Sequence, residues 1–260
     1  MTEIIHILQL ARSDFSYFFR TKWLMAVLIS LHLSDMLVVA LVYKQLIPIS
    51  TLDYRQFFVP AVIVMGLFVA ALDTGRRIWL AIREGVIQYY LSLPISTQGI
   101  VVAYLIAGGL AAMVYSASLM LVALVVIPIA AVWNTFMLLP FLFFLAMGLA
   151  GISATLAAFA STHGEYFFAY QQIVQIVLLT LSTVYYPLEY VQNYLPAFLT
   201  SIVSANPLSL AAEAMRSTFL GNSVQLSSLV NILLASLPFT IVGATAYLVA
   251  LRTIQAKGKM

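Results

Sequence analysis

Two residues in the apolar opening of this 260-residue chain could do chemistry together: His32 and Asp35, three apart, the spacing that puts two side chains on one helix face. A carboxylate midway along an apolar span costs about 2.5–3.5 kcal/mol to insert into a membrane, so it must face protein or water. The pair could line a substrate route or relay a proton, or it could be a hydrogen bond that glues helices at a subunit interface. Nothing else converges on it. The other histidines, His6 and His163, sit on separate segments, too scattered for a metal-ligand set, and no metal site is expected. With no cysteine there is neither a disulfide framework nor a thiolate site. The sequence contains no GxxxxGK[ST] loop to cradle phosphates, no HExxH and no GxSxG, so no catalytic residues are expected and any ATP hydrolysis must occur on another subunit.

A second charged interruption is "AIREGVIQYYLSLPIST", residues 81–97, where Arg83, Glu84 and Gln88 separate two long apolar runs. Ile82, Val86, Tyr89 and Leu93 recur at helical spacing, which predicts a short amphipathic helix ended by Pro94. Such a helix is either a rod that passes force from a soluble partner to the membrane or a plain interfacial turn.

The elements around these residues follow from composition. Hydrophobic residues make up 63% and charged residues 8% of the chain, against about 25% charged in an ordinary soluble domain. Mean hydropathy is +1.04. Long, non-alternating apolar runs fit spanning helices and exclude a barrel, so the fold expected is an all-α integral membrane protein. The spans read as 23–43, 58–80, 100–127, 136–160, 167–186 and 229–251, six transmembrane helices in a single domain over 23–260. With the N-terminus inside, Arg12, Arg20, Lys22, Arg76, Arg77, Arg83, Arg252, Lys257 and Lys259 fall on the inner flanks, and Lys44, Arg55 and Arg216 outside. That bias puts both termini in the cytoplasm. The net charge of +3 is modest and its placement matters more than its sum; no nucleic-acid partner is expected.

Residues 1–22 place Ile4, Leu8, Ala11, Phe15 and Phe18 on one side and His6, Gln9, Arg12, Ser13, Ser16 and Arg20 on the other, an amphipathic helix lying in the interface. They lack the order of a cleavable signal, so the first span is expected to direct insertion. The fourth span carries a stripe of Ala146, Ala150, Ala154 and Ala158, with Gly148 and Gly151 nearby, suited to close packing inside the chain or at a dimer seam. After the fifth span, Pro187 and Pro196 bracket a short helix holding Glu189, Tyr190 and Tyr194. Asn206 can then cap a second one that opens at Pro207, ends near Gly221 and sets Glu213 three residues before Arg216. Both are expected to dip back toward the membrane from outside.

The order of these features resembles the permease subunits of type-two ATP-binding-cassette (ABC-2) exporters over nearly the whole chain. The likeness rests on "FFVPAVIVMGLFVAALDTGRRIWLAIREGVIQYYLSLPIS", "FLAMGLAGISATLAAFAST" and "STVYYPLEYVQNYLPAFLTSIVSANPLSLAAEAMRSTFLG". It puts the family's cytoplasmic coupling helix, between the second and third spans, on Glu84, Gly85, Tyr89, Leu91, Pro94, Ile95 and Ser96, beside Arg83. A glutamate-rich run found in many relatives is reduced here to Arg83–Glu84. The resemblance implies a plasma-membrane permease that binds no cofactor itself, works with a cytoplasmic ABC ATPase carrying ATP and magnesium, and pairs with a second copy or a close relative in the lipid bilayer. The implied substrate is an amphiphile such as a drug or lipid; a polysaccharide or lipid-linked glycan is the alternative. From another class stands a non-transporting membrane enzyme or scaffold.

Overall fold

A computed structural model describes residues 2–42, 53–127, 132–160 and 163–257. Lys44 and Lys259, two of the flank charges counted above, lie outside the described residues. Among those described, every regular element is a helix. Helix α1 (Thr2–Arg20) leads into α2, which starts at Lys22, passes through a π-helical turn at Asp35–Val39 and ends at Val42. Then come α3 (Tyr54–Arg83), the short α4 (Val86–Ser92), α5 (Thr97–Val126) and α6 (Val132–Phe159). Helices α7 (Gly164–Thr180), α8 (Leu188–Tyr194), α9 (Ala197–Ala205), α10 (Pro207–Phe219) and α11 (Leu226–Lys257) complete the chain.

Helices α2, α3, α5, α6 and α11 are long and apolar enough to cross a membrane. α3 is the hub: it packs on α5, α6 and α10, and almost all of its apolar window is enclosed. In lipid no hydrophobic force drives helices together, so tight packing must do it, and small residues permit that. A Cβ placed on Gly151 of α6 would stand 3.1 Å from the Gly243 backbone of α11, so these two helices touch along their main chains. Ala146, Ala150 and Ala154 are buried as well, and a Cβ on Gly108 of α5 would meet Ala150 at 2.7 Å. The small-residue stripe is spent on contacts inside the chain.

Alternating helix directions gather both described ends of the chain and α4 at one end of the bundle, while α8–α10 close the other. Two sequence expectations change here. The expected fifth span, 167–186, is a 17-residue helix, Gly164–Thr180, about 25 Å long, and residues 181–187 run in turns. The reason is distant in sequence: Asn206 donates to the carbonyls of Leu178 and Leu181, and Arg216 to those of Thr183 and Val184, so the unwound backbone is satisfied without a helix. Three short helices follow rather than two. α8 and α10 lie where Pro187, Pro196, Asn206 and Pro207 predict them, but α9 was unforeseen.

Candidate functional site

The α4 end is built around one buried arginine. Arg77, in the last two turns of α3, is 2% exposed. Its guanidinium donates to Asp14 of α1 through Nε at 3.1 Å and Nη2 at 2.9 Å, to Asp73 through Nη1 at 3.1 Å, and to the Thr74 hydroxyl at 3.2 Å. Arg76 holds Asp73 from the other side at 2.6 Å. Two arginines thus face two carboxylates, a neutral set in which each charge has a partner, as low-dielectric surroundings demand. Arg76 and Arg77 are therefore not the free flank charges that a count of basic residues makes them.

Asp14 fixes α1 in an orientation that periodicity did not predict. The buried face is Leu10, Ala11, Asp14 and Phe18, with the Phe18 ring 5.1 Å from the Arg77 guanidinium carbon. Ile4 and Leu8, expected on the same side, are exposed. An apolar stripe cannot say which part faces protein and which faces hydrocarbon, and here the two part ways.

At the start of α1, Glu3 accepts a hydrogen bond from the Ser96 N–H at 3.1 Å. Ser96 is also the N-cap of α5, its hydroxyl accepting from the Gly99 N–H at 3.0 Å. In a capping box the N-cap N–H is met by an acidic side chain three residues on; that place is Gly99 here, and Glu3 supplies the carboxylate from another helix. Bonds from the Ser96 hydroxyl and N–H hold the Glu3 carboxyl below its ordinary range.

Between these two anchors sits α4. Arg83 ends α3 with its guanidinium 5.4 Å from the centre of the Trp79 ring. Glu84 and Gly85 make the turn, Gly85 at φ 76°, a left-handed conformation that glycine adopts without strain. α4 is shorter than the amphipathic helix expected and turned differently: Ile87 is its buried anchor, and Tyr89, expected on the apolar face, is 61% exposed. Gln88, Ser92, Pro94 and Ser96 are exposed too. A cavity of about 120 Å³ opens between α1, α3 and α4, bordered by Asp14, Arg77, Glu84, Tyr90 and Tyr104.

His32 and Asp35 act on each other electrostatically but differ in burial. The His32 ring is fully buried, Nδ1 lying 2.8 Å from the Leu28 carbonyl and 2.9 Å from the Tyr115 hydroxyl of α5, while Nε2 has no partner. Asp35 is half-buried. At the opposite end of the bundle, Arg216 is buried and donates to the Phe57 carbonyl at 2.8 Å as well as to Thr183, Val184 and Glu213, the last at 2.7 Å. Its guanidinium carbon lies 3.7 Å from the Phe57 ring centre. Burial pushes this arginine down to about 10, Glu213 opposing the shift, so it stays charged at neutral pH. Asn206 caps α10 by accepting from the Leu208 N–H at 2.9 Å, ahead of Pro207. Pro187 precedes α8, with Glu189 in its first turn.

With buried arginines at both ends and a short surface helix between two long ones, the chain matches the family model "ABC-2 type transporter" over residues 6–220. It belongs to the ABC-2 type transporter family. The match runs from α1 through α10 and so takes in α4, the Arg77 cluster and Arg216. An ABC-2 permease is the membrane component of an ABC transporter and implies a partner ATPase. No curated protein matches the chain.

The sequence reading missed Asp14 and Asp73. Asp14 looks like one more polar residue on an amphipathic helix, and its partner lies 63 residues away. A signal was present all the same: an acidic residue between Ala11, Phe15 and Phe18, on the apolar side of α1, requires a buried cation.

Proposed function

We propose that this ABC-2 permease exports an amphiphilic small molecule, driven by an ATPase that grips α4 on the cytoplasmic side, with a second permease copy completing the path. The reading is carried by one observation: α1 is tied to the coupling segment on both sides of α4. Asp14 bonds Arg77 ahead of it and Glu3 bonds Ser96 behind it, so residues 77–96 and α1 form a closed ring. Between Glu3 and Asp14, α1 covers about 16 Å. A push on α4 then cannot be absorbed by a slack loop; it must move α1 together with the ends of α3 and α5.

Arg83, Glu84, Gly85, Tyr89, Pro94 and Ser96 serve in this reading as the surface offered to the ATPase, with ATP and magnesium held by that partner. Orientation rests on the basic residues left after the paired ones are set aside. Arg12, Arg20, Lys22, Arg83 and Arg252 are exposed around the α4 end, whereas Arg55 at the opposite end is held by Asp53 at 2.7 Å. That bias favours a cytoplasmic α4 end in the plasma membrane. α7 then makes the sixth crossing, completed by the turns up to Pro187, and α8–α10 sit toward the outer surface.

The test is co-purification. A tagged permease extracted in mild detergent retains an ATPase, and Glu84→Arg with Tyr89→Arg removes it while the permease still elutes as a folded species. If the charge-reversed surface keeps the ATPase, α4 is not its dock.

A further inference from the structure

Several charges of this chain are held in ion pairs. Arg77 is met by Asp14 and Asp73, Arg76 by Asp73, Arg216 by Glu213, and Arg55 by Asp53. Of the two carboxylates in the five long apolar helices, Asp73 is paired, whereas neither a hydrogen bond nor an ion pair reaches Asp35. It stands about 20 Å along α2 from Lys22, well inside the span, and is half-buried. His32 makes no hydrogen bond to it, because that ring is turned in against Tyr115. The backbone marks the same place: Asp35 opens a π-helical turn, a rare wide turn that is frequent at functional sites.

α2 is also barely covered. Only 17% of its apolar window is buried inside the chain, and Leu31, Leu37, Val38 and Leu41 lie exposed around Asp35. Facing hydrocarbon, an ionised carboxylate is costly, and a bound cation offsets that cost where a neutral apolar molecule does not.

We infer that Asp35 is the counter-charge for the transported molecule, and that this molecule is a cationic amphiphile, an ammonium or amidinium on an apolar body. The inference rests on the exporter reading above and adds the substrate's sign. The ammonium meets Asp35 while the apolar body lies against Leu31, Leu37 and Val38. An anionic amphiphile of the same shape is repelled.

The experiment uses the permease with its ATPase in inside-out vesicles and three fluorescent probes of matched shape: a quaternary alkylammonium, the corresponding alcohol and the corresponding sulfonate. ATP-dependent uptake is expected to favour the ammonium. Asp35→Asn lowers ammonium uptake at least tenfold, whereas Asp35→Glu keeps most of it and both variants still retain the ATPase. Asparagine matters as the replacement because it keeps size and hydrogen bonding and removes only charge. Wild-type vesicles that take up the alcohol or sulfonate as well as the ammonium overturn the inference and leave the exporter standing. Full ammonium uptake by Asp35→Asn overturns it too. So does dissociation of the two permease copies in Asp35→Asn, which makes Asp35 an interface bond. No ATP-dependent uptake of any probe by the wild type overturns both readings.

Discussion

Two buried arginines hold the two ends of this permease, and they do so by opposite means. Arg77 spends its donors on carboxylates, one of them on α1, a helix outside the main bundle. Arg216 spends most of its donors on backbone carbonyls of the α7–α8 turns and of Phe57 in α3. The first kind of contact joins two side chains and can be rewritten by changing both. The second closes gaps in the main chain that nothing else can close. In the proposed reading the α4 end is a coupling region and needs joints between separate bodies, whereas the break after α7 needs a permanent cap.

The largest effect is therefore expected at Arg216. Arg216→Met strands the carbonyls of Thr183 and Val184 in the turn, each buried unpaired acceptor costing roughly 1–3 kcal/mol, and removes a second bond from the Phe57 carbonyl. No partner substitution can rescue it, because the partners are backbone. Thermal unfolding in detergent checks this: Arg216→Met should melt far below every other variant named here, with Arg216→Lys recovering only part. Wild-type melting in Arg216→Met would mean that residues 181–186 find other donors.

Arg77 should come next and behave differently. Arg77→Met leaves Asp14 buried without a cation, and breaking a buried pair costs about 3–5 kcal/mol. Adding Asp14→Leu removes the orphaned charge and should restore most of the lost stability, since apolar groups of similar volume often replace a buried pair without penalty. If the double variant melts like the single one, the two residues do not act as a pair. With stability restored, the double variant also sharpens the comparison. It lacks the ionic joint between α1 and α3, so it should hydrolyse more ATP per molecule transported than the wild type.

What the sequence made legible divides along the same line. Long apolar runs set α3, α5, α6 and α11, and local rules found α8 and α10, because Asn206 before Pro207 and Pro187 before Leu188 act on their own neighbours. α4 was visible as a charged break between spans. The joints were not visible: Asp14 and Arg77 are 63 residues apart, and Arg216 reaches Phe57 across 159. The early end of α7 follows from one of those joints, so it was hidden with it. His32 and Asp35 read as one unit from their spacing, yet α5 claims the first through Tyr115 and leaves the second open.

The smallest effect belongs to the other anchor of α1. Glu3 is fully exposed, so water competes for its bond to Ser96, and Glu3→Gln should leave the melting temperature almost unchanged. Its dependence on pH separates it from the Arg77 joint. Ser96 lowers the folded-state pKa of Glu3, so the contact's contribution is complete above the unfolded glutamate value and is lost as pH falls through the lower, folded one. Because the chain has no cysteine, single cysteines can be placed cleanly at Thr2 and Gln98 and labelled with a spin pair. The distance between them should hold from neutral pH down through the ordinary glutamate range and broaden only below it, and Glu3→Ala, which removes the acceptor, should broaden it at every pH. Broadening already at neutral pH in the wild type would open the ring at Ser96 and leave Asp14 as the one tether carrying motion from α4 into α1.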